Sequence, residues 1–200
     1  MNLPVSAQRL ILVKHSLPEI VDGVRARDWR LSAEGRRRCD SLADALAIYA
    51  PSGAITSSDE PKAFETAERV AARLGLPHGV DAGLAEHRRG AKKLLDEAEW
   101  QAAIARLFAR PDRLEYGEES GDQARLRFEN AIERVLGARA GPTSGACVCV
   151  AHGTVISLFT AAFAGVDGYA LWVRLELPSF VVLLLAEKRV EALWPGGAGP

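Results

Sequence analysis

The chain has little of what would assign it to a special environment. Its three cysteines, Cys39, Cys147 and Cys149, cannot close a disulfide set. Two of them alternate within the apolar run Ala146 to Ala151, as buried strand residues would, which predicts a reducing, cytoplasmic setting. An excess of either charge is also missing: 25 basic and 26 acidic side chains leave a formal net charge of -1. With no overall field to draw in a polyanion, neither a nucleic acid nor a membrane surface is expected as a partner. Long hydrophobic runs are absent. The longest aliphatic stretch, Phe180 to Ala186, is far short of the ~20 residues that span a bilayer. The opening MNLPVSAQRL has no basic region followed by a long apolar segment, so no targeting signal is read there. There is no internal repeat, no low-complexity segment and no His/Asp/Cys cluster with metal-ligand spacing.

What is present fits one domain. A chain of 200 residues, 48% of them hydrophobic, can bury most of its apolar surface in a single core. We assign that domain to residues 1–194 and read the Gly/Pro-rich 195–200 as a frayed tail. Arg9 to Lys14 (RLILVK) reads as a buried strand that delivers His15 into a loop running to Arg30. Ser32 is an N-cap candidate for a helix with its stripe at Leu42, Ala45, Leu46 and Tyr49, ended by Pro51. Ala54 to Ser57 is a minimal strand. After it, Pro61 suits a helix N1 position, Phe64, Ala67, Ala71 and Leu74 form a buried stripe, and Gly75 suits the C-terminal cap. Further helices are expected with faces at Leu95, Ala98, Ala102 and Ala105, up to Pro111, and at Phe128, Ile132 and Val135. Ala146 to Ala151 is a second buried strand, followed by His152, Gly153 and a helix containing Val155, Ile156, Phe159 and Phe163. Leu171 to Leu177, Ser179 to Ala186 and Arg189 to Trp194 read as strands. This alternation predicts an α/β fold, a three-layer α/β/α sandwich around a mostly parallel central sheet.

Two histidines, His15 and His152, each stand directly after an apolar strand. Ligands of open parallel sheets bind just beyond those carboxyl ends, so the paired placement marks a candidate site, although a lone histidine is more often a surface or satisfied core residue. Lys14 adjoins His15, and Lys62 sits in the first turn of a helix, whose free N–H groups also favour an anion. Both lysines suit a phosphate; taken singly, each would be read as a solvated side chain. Glu86, in a Gly-flanked loop, would serve as a general acid if burial raised its pKa.

The order of these pieces resembles the histidine phosphatase superfamily, the phosphoglycerate mutase-like proteins. LVKHS at Leu12 to Ser16 resembles the family's Arg-His-Gly signature, and SSDEPKAFETA at Ser57 to Ala67 its Ser-Ser-Pro-Leu-x-Arg-Ala-x-x-Thr-Ala segment. LSAEG at Leu31 to Gly35, Leu84-x-Glu86 with Gly90, GEESGD at Gly117 to Asp122 and VAHG at Val150 to Gly153 are similar to four more of its motifs, in the same order. The resemblance implies a metal-independent phosphomonoester hydrolase without cofactors, acting on a small phosphorylated substrate. His15 would be the nucleophile that forms a phosphohistidine, Glu86 the proton donor, and His152 the stabiliser of charge on the phosphoryl oxygens. Lys14, Lys62 and Ser16 would line the phosphate. Here the pattern departs: Lys14 and Lys62 fall on the family's two arginines, Ser16 on its glycine, and Asp59-Glu60 on its Pro-Leu. Lysine keeps the charge and loses the bidentate fork. Two alternatives therefore stand beside hydrolysis: a catalytically weak relative that binds a phosphorylated ligand or partner, and a phosphoglycerate mutase-type transferase.

Overall fold

The protein, here a computed structural model, is described over residues 9–90, 96–139 and 145–196. Its first strand, β1 (Arg9–Lys14), is buried on both faces because its interior residues are all aliphatic. β2 (Ile55–Ser57), β3 (His78–Val80) and β4 (Cys147–Ala151) run parallel to it, and β5 (Ser179–Leu184) and β6 (Arg189–Trp194) add an antiparallel hairpin. The strand order is β3-β2-β4-β1-β5-β6. The parallel strands are joined through helices, as parallel neighbours require.

The pleat sorts the core into two layers. Ile11 and Val13 of β1 with Val148 and Val150 of β4 face a cluster built by α1 (Ala33–Ala47) and α2 (Pro61–Leu74). Leu10, Leu12, Cys147 and Cys149 point the other way, onto α4 (Gly121–Gly137) and α5 (Gly153–Ala164). The result is the expected three-layer arrangement. All three cysteines are buried free thiols. No helix among the described residues is long and apolar enough to cross a membrane.

Local signals place the helix starts. The Ser32 hydroxyl accepts from the Gly35 N–H at the head of α1, Pro61 opens α2, and Gly75, at φ 66°, closes it in the left-handed region. α3 (Glu97–Ala109) begins at Asp96 and α4 at Ser120, each with a reciprocal capping box.

Three expectations change. Residues 168–174 are a helix, α6 (Gly168–Arg174), where Leu171 to Leu177 had read as a strand: Asp167 caps it by accepting from the Ala170 N–H, and Val173 faces solvent. An N-cap one residue before glycine outweighed an apparent alternation. In α3 the buried residues are Ala103, Ile104 and Leu107, while Ala98 and Ala102 are exposed, so the helix is turned from the face the alanines suggested. Isoleucine and leucine bury more apolar area than alanine and set the rotation. Leu95, also assigned to that stripe, lies outside the described residues, as does 197–200 of the expected tail. β3 was not foreseen; at three residues, with His and Gly, it carries no strand signature.

Candidate active site

Adjacency of β1 and β4 brings the two histidines together. Lys14 pairs with Ala151 in the parallel register, and the His15 N–H donates to the Ala151 carbonyl at 3.0 Å. His152 follows immediately and caps α5. The two rings meet edge to face, with centroids 5.1 Å apart and an interplanar angle of 63°. From the other side of β4, β2 leads through Ser57 and Ser58 into α2, which places Glu60 and Lys62, both buried, at the same sheet edge.

The hydrogen bond of the first histidine fixes its chemistry. Nδ1 of His15 lies 2.8 Å from the Ser16 carbonyl, which only accepts, so Nδ1 carries the proton and Nε2 keeps its lone pair. Burial holds the His15 pKa well below the usual imidazole value, and His152, Lys62 and Lys14 push the same way. His152 is likewise held well below it, first by burial and then by Lys62. Both rings are therefore neutral near pH 7. Among the described residues neither nitrogen of the fully buried His152 has a hydrogen-bond partner; Oε1 of Glu60 lies 3.8 Å from its Nε2. A buried imidazole left unsatisfied in this way is costly unless a ligand completes it.

The lysines are engaged. Lys14 donates to the Leu175 carbonyl at 2.6 Å, and burial lowers its pKa. Lys62 donates to the Ala26 carbonyl at 2.9 Å and to Oε2 of Glu60 at 2.6 Å. Ser16 is also committed: its hydroxyl donates to the Gly35 carbonyl at 2.7 Å and its N–H to the Thr66 hydroxyl at 3.0 Å. Ser16 thus ties the β1 loop to α1 and α2.

Glu86 reaches the histidines from the loop after a short 3-10 turn, Ala82–Leu84. Its carboxylate accepts from the His87 N–H at 2.8 Å and, weakly, from the Thr154 N–H at 3.4 Å, in the first turn of α5. Arg89 lies 3.5 Å away and stacks over Trp100 at 4.1 Å. Burial alone would raise the Glu86 pKa, but Arg89, His152 and the His87 N–H outweigh it and hold the carboxyl below its ordinary value. The acid role read from the sequence is conditional on burial raising this pKa; burial does push it up, but Arg89, three residues on in the same loop, and the His87 N–H oppose it.

Several residues that hold the site carried no readable signal. Arg127 of α4 donates to the carbonyls of Gly83, Ala85 and Glu86 and pairs with the buried Glu119 at 2.6 Å. Glu119 also accepts from the Arg88 N–H, and its backbone carbonyl meets Nε2 of His87. Glu60 binds the Glu86 N–H at 2.9 Å through Oε1. Glu119 lies within the GEESGD segment, but the sequence did not single it out and nothing in the spacing joined it to Arg127. Among the described residues no group of three or more His, Cys, Asp or Glu is arranged to hold a metal ion. What the geometry offers is a neutral imidazole with a free Nε2, a second imidazole beside it, a carboxyl within the same shell, and buried cations around them. That set can accept and release a phosphoryl group.

A family model described as the histidine phosphatase superfamily, branch 1, matches residues 10–194. A glucosyl-3-phosphoglycerate phosphatase of Mycolicibacterium vanbaalenii is 30% identical over 189 residues, 84% of this chain and 84% of that protein. The solved structure of a mycobacterial glucosyl-3-phosphoglycerate phosphatase has a TM-score of 0.73 at 25% identity, covering 96% of this chain and 100% of that one. A second structure, mycobacterial hydrolase 2, shares the fold with a TM-score of 0.77 at 24% identity, over 96% of this chain and 92% of its own. The match over nearly the whole chain, and the curated relatives, make this protein a phosphomonoesterase belonging to branch 1 of the histidine phosphatase superfamily.

Proposed function

We propose that this phosphatase hydrolyses a small phosphorylated substrate, in the cytoplasm, through a phosphohistidine on Nε2 of His15. The observation that carries it is the Nδ1–H bond to the Ser16 carbonyl, which leaves Nε2 unprotonated in a ring that burial keeps neutral. In the first step the Nε2–P bond forms as the P–O bond to the leaving group breaks, and the Glu86 proton passes to the departing alkoxide. In the second, Glu86 takes a proton from water, whose oxygen attacks phosphorus and releases His15. A phosphate entering beside Glu86 adds negative charge and raises the carboxyl pKa from its depressed free value, which allows Glu86 to arrive protonated. His152, with both nitrogens unsatisfied, and Lys14 and Lys62 would take up charge on the non-bridging oxygens. Ser16 would act through the wall that it ties together.

The substrate of the curated relatives, glucosyl-3-phosphoglycerate, is the first compound to assay. The decisive measurement is hydrolysis of an aryl phosphate by wild type and by His15→Ala. Turnover by wild type only, with an acid-labile, base-stable phosphoryl label, is expected; equal rates would overturn the assignment. One observation favours a second reading, a phosphate-binding protein with weak turnover: both lysines are already spent, on Leu175 and on Glu60. In that case phosphate binds and no label accumulates.

A further inference from the structure

Glu60 is a buried carboxylate at the sheet edge where the histidines meet, 5% exposed, at the N-cap of α2. Its side chain does three things. Oε2 takes a hydrogen bond from Lys62 at 2.6 Å, Oε1 takes one from the Glu86 N–H at 2.9 Å, and Oε1 lies 3.8 Å from Nε2 of His152. Both oxygens are thus occupied by parts of the site. No cap hydrogen bond is made to α2 itself, so holding the helix is not what this side chain is for.

We propose that Glu60 is a positioning residue that fixes the Glu86 loop against α2 and competes with phosphate for Lys62. This rests on the phosphatase reading for its effect on rate, but not for its effect on phosphate binding. An anion approaching Lys62 meets an ammonium already paired at contact distance with a carboxylate in a buried setting, where that pairing is strong and where two anions side by side repel. Phosphate therefore binds only by sharing Lys62 or by prising Glu60 from it. Such a site holds its product weakly.

The same carboxylate bears on the acid. Around Glu86 stand Lys14 from β1, Glu60 at the start of α2, His87 and Arg89 from its own loop, Arg127 from α4, and His152 with the Thr154 N–H at the head of α5. Glu60 is the anionic neighbour that pushes the Glu86 pKa up, against Arg89 and His152. Removing its charge leaves the acid more easily deprotonated.

Glu60→Gln keeps the shape and the acceptor for the Glu86 N–H while deleting the charge. Inorganic phosphate binding, followed by calorimetry at pH 7, should tighten about tenfold, the order expected for freeing one buried cation. The alkaline limb of the kcat profile should move to lower pH, whereas KM for an aryl phosphate falls. Glu60→Leu should tighten phosphate equally but lose kcat as well, since Glu86 is no longer anchored, and it stands in for the phosphate arm if Glu60→Gln does not fold. Unchanged phosphate affinity, or an unmoved alkaline limb in a folded Glu60→Gln protein, overturns the proposal. A wild type that binds phosphate without turning over substrate sinks the phosphatase reading and leaves Glu60 to be judged on the binding arm.

Discussion

Edge-to-face contact between His15 and His152, with 5.1 Å between ring centroids, is the product of two neighbouring parallel strands ending at the same level. Each ring is buried, and burial is the main reason why each titrates well below an ordinary histidine.

Stability should therefore fall in mild acid. The folded pKa of each ring lies below its unfolded value of ~6.5, so the unfolded chain binds more protons once the pH drops through that value. The stability these rings contribute is present above that pH and is lost below it. Thermal melting from pH 8 to pH 5 should show Tm falling below about pH 6.5. His152→Gln should flatten the fall; an identical slope in that variant would mean that other groups set it.

Arg127 should be needed for both stability and turnover. It holds three carbonyls of the acid loop and pairs with a carboxylate only 8% exposed. Arg127→Ala strands Glu119 and should cost about 3 kcal/mol or more in denaturant unfolding, as breaking one side of a buried pair does. Activity should drop with it, because the loop carrying Glu86 loses its tie. A variant with wild-type stability would show that water replaces the guanidinium there.

Gly117→Ala should act on the same loop from the other side. Gly117 sits at φ 90°, a region that disfavours a side chain, and a Cβ there would run into the Arg88 carbonyl and against the His87 ring. A loss of roughly 1–3 kcal/mol is expected, with kcat falling more than KM rises. Calorimetry and steady-state kinetics on one preparation test both halves.

Restoring forks to the cations should speed the reaction. Lys62→Arg keeps a donor for Glu60 while presenting others, and Lys14→Arg adds donors beyond the one that Leu175 takes. The double variant should gain at least about tenfold in kcat/KM on an aryl phosphate, since one preorganised donor is worth that much or more. A fall would show that the lysines are fitted to the natural substrate.

How far the sequence reaches differs by element. The first and fourth strands, the starts of α1 and α2, the cap at Gly75 and the two strand-end histidines were legible because each is written in adjacent residues: aliphatic runs, an N-cap serine, a proline, a glycine. Residues 168–174 misled because Leu171, Val173, Leu175 and Leu177 at alternate places imitate a strand, and only the Asp167 cap breaks the tie. α3 misled because alanines mark no face strongly.

The site divides in the same way. That His15 and His152 stand at strand ends, and that Lys14, Lys62 and Glu86 accompany them, is determined by the sequence, since a side chain's place relative to its own strand or helix depends on its neighbours in the chain. The burial that shifts His15, the packing of Glu86 against Glu60 and the head of α5, and the spending of Lys14 on the Leu175 carbonyl were decided by tertiary structure, whereas the contacts of His15 with Ser16, of Lys62 with Glu60 and of Glu86 with His87 and Arg89 join near neighbours in the chain. Even for these near neighbours the strength of each contact is an electrostatic sum that includes groups remote in sequence, such as the Glu60 contact with the Glu86 N–H and the Arg127 hold on the Glu86 carbonyl. Such sums exist only once the chain has folded and excluded water from the edge of the sheet.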